Sequence, residues 1–513
     1  MTAPARTGRT IRLNAADTVV VAAHDLPAGT ELADPPLRVR DSVPAGHKVA
    51  VRRVAAGEQV RKFGQVIGVA TRDIEAGEHV HAHNLAFLAL DQDHAFGADA
   101  RHAPAVERAG PATFDGIVRP DGRVATRNFV GILTSVNCSA TTARLVADGF
   151  RQGSAALEEF PHTDGVVALT HTTGCGMAAK GEGFDILRRT LTGYARHPNF
   201  AGLLVLGLGC EVNQVADLTA DFDLPDDVPM LSMTIQELGG TRATVREATA
   251  RIRDLLSAAD TARRTPVPVS ELVLGLQCCG SDGYSGITAN PALGVASDLL
   301  VTHGGTSILG ETPEVYGAEH LLTRRAVGPE VGQRLVERIR WWQRYVDTHE
   351  GSLDNNPSPG NKAGGLTTIL EKSLGAVAKG GVSDLAAVYE YAEQVTSTGF
   401  VFMDTPGYDP VSVTGMVAGG ANVVAFTTGR GSVFGCKPVP SIKLATNSEM
   451  YRHMSEDMDL NCGRILDGEV TVEEAGREIY EMIVEVASGR STVSEELGFG
   501  AEEFAPWHVG AVM

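Results

Sequence analysis

From residue 114 onward the chain repeatedly drives a short, almost unbroken apolar run straight into glycine: FVGILTSV, GVVALT and AGLLVLGLG, then TSILGE, GFVFMDTPG and NVVAFTTG. Runs without polar alternates do not suit a sheet with one wet face. They fit strands covered on both faces, as in a parallel sheet. Helical stretches such as TTARLVADGFRQ and RATVREATARIRDLLSAADTARR lie between or after them. Strands alternating with helices predict an α/β body with mainly parallel sheets. The proline-flanked VPVS before ELVLGLQ divides that body near 265, into 114–265 and 266–513. Ligand sites in such bodies sit at the carboxyl ends of strands, where these glycine loops fall.

Residues 1–92 follow another rule. TVVVAAHDL, GHKVAVRRV and DIEAGEHVHAH are brief β-like segments punctuated by Ala-Gly or Pro-Ala-Gly turns, which predicts a small all-β module. Residues 93–113 lack periodicity and are rich in Ala, His and Pro, as expected of a linker. A formal net charge of −19 argues against nucleic acid and anionic membrane partners. An anion site in this chain must therefore be built locally. MTAPARTGRTIRL has no apolar segment behind its arginines, and no run reaches spanning length, so a cytoplasmic protein is expected. Its seven cysteines are then expected to be reduced, and their odd number suits free thiols or metal ligands better than a disulfide framework.

NPSPGNKAGGLTTILEKSLGAVAKGG (356–381) sets Asn356, Asn361, Lys362, Lys372 and Lys379 around two Gly pairs. Glycine admits close backbone approach, and lysine supplies positive charge for an anion. GSDGYSGITANP brings Ser281, Asp282 and Asn290, which suit a polyhydroxylated ligand or, equally, a capped turn before a helix. FTTGRGSVFG places Arg430 between glycines, a fork matched to a carboxylate, with Lys437, Lys443 and Asn447 close behind. Glu311 and Glu314 in ETPE are metal ligands, an acid–base pair, or first-turn acids of a helix. His171 in HTTGCG is a general-base candidate or a hydrogen-bonded loop residue, and Glu211 in GLGCE has the same ambiguity. His47 and the alternating His79, His81 and His83 can gather on one strand face as a metal or proton-relay site, or form an exposed polar face. Cys138, Cys175, Cys210 and Cys278 each stand where an apolar run gives way to a loop. Side by side they would offer soft thiolate ligands; taken singly, each is a small buried hydrophobe.

These motifs also carry a resemblance. GHKVA and GEHVHAHN resemble the N-terminal module of the altronate/galactarate dehydratases. GLGCE, CCGSDGYSGITANP and ETPEVYGAE resemble that family's middle portion, and FTTGRGSVFG and KLATNS its C-terminal portion. The resemblance implies that the β module is a β-clip (SAF-like) domain, followed by the two α/β domains. It implies a lyase that dehydrates a sugar acid to a 2-keto-3-deoxy acid, in a homodimer or larger assembly. It further implies iron, as Fe2+ or an iron–sulfur cluster with Mn2+ a possible substitute, which would fall to Cys138, Cys175, Cys210 and Cys278. The implied catalytic groups are His171, Glu311 and Glu314, and the implied substrate contacts are Ser281, Asp282, Asn290, Asn361, Lys362, Arg430, Lys443, His47 and His83. Two other readings stay open: a sulfolactate sulfo-lyase of the same family, suggested by Cys279 and MDTPGYDPVS, and a non-catalytic sugar-acid-binding protein.

Overall fold

The computed structural model describes residues 7–510 apart from 91, 226 and 227. Its first part holds three small sheets, matching the expected all-β module: a mixed one of 7–8, 31–33 and 36–38, and two antiparallel ones. One joins β1 (Thr10–Ile11), β2 (Val19–Ala22), β3 (Lys48–Ala50) and β6 (His79–Val80), in that order. The other joins β4 (Gln59–Lys62), β5 (Gln65–Ala70) and β7 (Leu85–Ala86), with β5 central.

The second part is a four-stranded parallel sheet of β8 (Phe129–Thr134), β9 (Gly165–Leu169), β10 (Phe200–Gly207) and β11 (Met230–Thr234), ordered β9-β8-β10-β11. Helix α1 (Thr241–Ala259) packs on β10 through Ile252, Leu255 and Leu256. The third part is a seven-stranded parallel sheet. Its strands are β12 (Val273–Cys278), β13 (Thr306–Leu309), β14 (Leu385–Tyr389), β15 (Gly399–Met403), β16 (Val423–Thr428), β17 (Ser441–Ala445) and β18 (Leu460–Asn461). The order β14-β15-β13-β12-β16-β17-β18 reverses direction about β12 and β13, which puts the carboxyl ends of those strands at a topological switch point. The near-continuous apolar runs are explained by burial: every residue of β13, β16 and β17 is buried.

An antiparallel ribbon of 113–118 with 264–268 closes the second part and leads into the third. Residues 93–112 of the expected linker carry no helix or strand but are not free. Just before them Gln92 donates to the Gly317 carbonyl (2.8 Å); within them Asp99 pairs with Arg324 (2.6 Å) and the Pro111 carbonyl accepts from Tyr480 (2.6 Å). The β module is docked as firmly. Val19, Ala50, Val60 and Ile67 belong to the same buried cluster as Leu274, Leu293 and Leu374 of the third part. Lys48 and Lys62, both buried, converge on the buried Glu371 at 2.8 and 2.9 Å. Burial opposes ionisation of Glu371, but the two ammonium groups hold its carboxyl well below the usual carboxylate range. Among the described residues no helix is long and apolar enough to cross a membrane.

Candidate active site

β12 and β13 end at the switch point in Cys278 and, two residues past Leu309, Glu311. Glu311 takes a left-handed backbone, φ 65°, unusual for a residue with a Cβ and held by its N–H donating to Thr405 Oγ1 (2.7 Å). A tight turn over Thr312–Glu314 then brings Glu314 round beside it. Both carboxyl groups are buried, and together with Cys278 Sγ their oxygens lie within 4.8 Å of one another.

The helix α2 (Ile369–Val377) and the turn after it come from the glycine-rich stretch and lie over this edge. Lys372 and Lys379 stand seven residues apart, two helical turns, so both ammonium groups reach the same place. Lys379 Nζ donates to Glu311 Oε2 (2.8 Å) and to Cys278 Sγ (2.9 Å). Lys372 Nζ donates to Glu314 Oε1 (2.8 Å) and Asn356 Oδ1 (2.6 Å), and Asn356 Nδ2 also donates to Glu314 Oε1 (2.7 Å). Gln277 Nε2 bridges Glu311 Oε1 (2.7 Å) and Asp409 Oδ1 (2.9 Å). Burial and the neighbouring Glu314 push Glu311 up to about 8, although Lys379 works against the rise. Burial also raises Cys278, and Lys379 is raised because the thiol and the two carboxylates outweigh its own burial. The result is a pair of facing carboxyl groups that can keep one proton near neutral pH. Glu314, Cys278 and Lys372 line a cleft of about 530 Å³, together with Cys279, Asn361, Tyr408 and Asp409; Glu311 sits behind them.

Of the residues expected from sequence, Glu311, Glu314, Cys278 and Asn361 meet here. Asn361 donates from Nδ2 to the Ser281 carbonyl (2.9 Å), closing one wall. Other expected substrate contacts are already engaged. Asp282 accepts from the Tyr284 N–H, Ser285, Thr446 and Asn447, so it braces its own loop against the one after β17. Ser281 is held through its carbonyl. Asn290 donates to the Gly375 carbonyl and accepts from Thr427, and Lys443 is buried in β17, donating to the Phe434 carbonyl. Lys362 is half-buried and Arg430 exposed; Arg430 is tied by its backbone N–H to Gly280 at the cleft and makes no side-chain hydrogen bond or ion pair among the described residues.

His171, a candidate base from sequence, is engaged through both ring nitrogens. It lies in the second part, with Nε2 bonded to the Thr134 carbonyl (2.9 Å) and Nδ1 to Thr173 Oγ1 (3.0 Å), and burial lowers it to about 4. Glu211 likewise accepts from Ser135 and from the backbone of its own loop. The four cysteines do not form one site. Cys138, Cys175 and Cys210 are exposed on the adjoining loops after β8, β9 and β10, whereas Cys278 is buried in the other sheet. Nor does Cys278–Glu311–Glu314 suit a metal, because Lys379 and Lys372 already stand where a cation would have to enter.

A second set of donors does suit one. His47, His79 and His81 bring ring nitrogens within 4.8 Å of one another in the β module, where it meets the third part, and exposed His83 lies with its ring 5.3 Å from that of His79. Burial lowers all three, His79 to about 4 and His81 to about 3, so each is a neutral imidazole. Sequence reasoning missed Gln277 and Asp409 entirely. It named Lys372 and Lys379 as charges for a ligand without seeing that buried carboxylates claim them; the seven-residue spacing was the available signal.

Three family models tile the chain: the altronate/galactarate dehydratase SAF domain over 8–88, the D-galactarate dehydratase/altronate hydrolase second domain over 116–260, and the D-galactarate/altronate dehydratase C-terminal domain over 269–512. The chain is 35% identical to the altronate dehydratase of Bacillus subtilis, covering 95% of this chain and 97% of that one. It is 37% identical to the L-threo-forming galactarate dehydratase of Escherichia coli, covering 95% and 94%. A (2R)-sulfolactate sulfo-lyase subunit beta from Chromohalobacter salexigens is 34% identical over 75% of this chain and 95% of its own. All three parts of the fold, and the strand ends that carry the paired carboxyl groups, fall inside these matches, and the chain belongs to the altronate/galactarate dehydratase family of hydro-lyases.

Proposed function

We propose that this enzyme dehydrates an aldonate or aldarate of the altronate or galactarate type across C2 and C3, giving a 2-keto-3-deoxy acid. The observation that carries the mechanism is the buried pair Glu311–Glu314 at the floor of a cleft, each carboxyl held by its own lysine. Glu314 faces the cleft and takes the proton from C2, beside the substrate carboxylate. Lys372 and Asn356 fix its oxygen in place, and Glu311 with Lys379 behind it keeps the pair at one shared proton. As the C2–H bond breaks, C2=C3 forms and the C3–O bond breaks. The same carboxyl returns a proton to the departing hydroxyl, so water leaves, and the enol then tautomerises to the ketone. Arg430, whose side chain makes no hydrogen bond or ion pair among the described residues, supplies a cation for the substrate carboxylate. Divalent iron, when bound, supplies Lewis acidity toward the substrate's oxygens.

The test is release of keto acid from altronate and galactarate by the wild-type chain and by Glu314→Gln. No release from either sugar acid would overturn the reading. The likeness to the sulfo-lyase subunit supports a second substrate class; sulfite release from sulfolactate, without keto-acid release from sugar acids, would transfer the same proton chemistry to a different leaving group.

A further inference from the structure

The histidines of the β module are placed for a purpose that the proton chemistry above does not use. β6 is only two residues long and is followed by a turn that the buried Asn84 pins from both sides. Its Oδ1 accepts from the His81 N–H (2.9 Å) and its Nδ2 donates to the His79 carbonyl (2.9 Å). His79 and His81, alternate residues, thereby project together, their rings stacked at 5.5 Å and 8°. The third ring arrives from another strand. His47, just before β3, holds Nε2 at 3.2 Å from the Ala363 carbonyl, in the third part of the molecule. A carbonyl only accepts, so Nε2 carries the proton and the Nδ1 lone pair is turned toward His79, whose Nε2 is 3.0 Å away.

That distance has meaning for a metal. Two nitrogens bound at right angles to one ion, each about 2.1 Å from it, stand about 3.0 Å apart. His81 Nδ1 is buried and makes no hydrogen bond, an unmet polar atom at the third corner. The bond from His47 Nε2 to Ala363 is the outer-shell contact that metal-bound imidazoles ordinarily have, fixing tautomer and ring orientation. We propose that His47, His79 and His81 form a three-imidazole site for one divalent first-row transition ion, assembled where the β module meets the third part. Imidazole nitrogens suit iron, zinc and copper, and three on one side leave the remaining positions open. The loop that carries His47 packs on Gly364 and Gly365, directly after Asn361 and Lys362 of the cleft wall. The site therefore locates the ion that the dehydratase reading calls for, while its existence does not depend on that reading.

The experiment uses the full chain, purified without metal, and follows Co2+ uptake by visible absorption, with anaerobic Fe2+ as competitor and metal content measured per chain. Expected is one equivalent of Co2+, displaced by Fe2+ only in excess, and loss of that equivalent in His79→Gln/His81→Gln with unchanged metal-free unfolding. Because His47 is buried, the pair on β6 and its turn keeps the test free of folding damage. Retention of the equivalent in that double variant would overturn the proposal. So would its loss in Glu314→Gln, or in Cys138→Ser/Cys175→Ser/Cys210→Ser, with the histidines intact. Metal held by the histidines without keto-acid release from any sugar acid would sink the dehydratase reading and leave the site standing; keto-acid release with no metal at the histidines would do the reverse.

Discussion

The carboxyl edges of the two parallel sheets are built on the same local grammar and end in opposite states. In each, an apolar strand stops, a glycine or small polar residue follows, and a cysteine appears. After β8, β9 and β10 the loops close on themselves: the Asn137 N–H donates to the Thr173 carbonyl (3.0 Å) and the Asn213 N–H to the Gly174 carbonyl (3.1 Å), leaving Cys138, Cys175 and Cys210 exposed. After β12 and β13 the edge is covered by a segment from far along the chain, 356–381, which brings two lysines and buries Cys278 among charges. A strand-end motif therefore fixes where a side chain emerges but not what will cover it. Cover decides whether a titratable group behaves as it does in water or is driven toward neutral pH.

Removing the cleft-facing carboxylate should produce the largest contrast between the two edges. Glu314→Gln is expected to lower kcat by roughly 10²–10⁴-fold, the usual range for a lost general acid–base group, with the substrate's KM nearly unchanged. Steady-state keto-acid formation checks this; a loss confined to KM would remove Glu314 from proton transfer. Next in size is the covering cation. Lys379→Met leaves Glu311 buried without its partner, and breaking a buried pair from one side costs about 3–5 kcal/mol. Urea unfolding should show that loss, and an unchanged midpoint would mean the pair is not closed in solution.

The strands and the all-β module were legible because each rests on a local signal: an uninterrupted apolar run, a glycine turn. Glu311 and Glu314 were legible as candidates, since ETPE directly follows a strand. Their partners were not, because Gln277, Lys372, Lys379 and Asp409 meet only through the order in which seven strands are laid down. The loop contacts of Asp282, Asn290 and Lys443 were hidden for a related reason. Polar residues among glycines look the same in sequence whether they await a ligand or, as here, are consumed by bracing loops.

The proton shared by the carboxyl pair gives an intermediate effect with a definite sign. Glu311 is raised to about 8, above its ordinary carboxyl value. A raised carboxyl binds its proton more tightly in the folded state, so its stabilising contribution is complete at acid pH and is lost as pH rises through about 8. Stability should thus decline as pH rises from about 4.5 to about 8 and level off above, whereas kcat/KM should fall as pH passes about 8 and the pair loses its proton. Unfolding from acid to neutral pH and kcat/KM from neutral to alkaline pH, each for wild type and Glu311→Gln, check both; an alkaline limb of kcat/KM left in place by Glu311→Gln would assign it to another group.

The smallest expected effect tests the other edge. Cys175 is exposed, and its loop is held through backbone groups of Thr173 and Gly174 rather than through the thiol. Cys175→Ser should therefore change unfolding free energy by no more than about 0.5 kcal/mol, the usual range for surface substitutions. Cys278→Ser should cost more, because the buried thiol fills space between two carboxyl groups and accepts from Lys379, and the shorter hydroxyl cannot keep all of those contacts. Equal costs at the two positions would mean that the covering segment contributes little at the strand ends, and that the cysteines of both sheets stand in the same environment after all. A ranking with Cys278 well above Cys175 would tie the difference between the two edges to the cover supplied by 356–381.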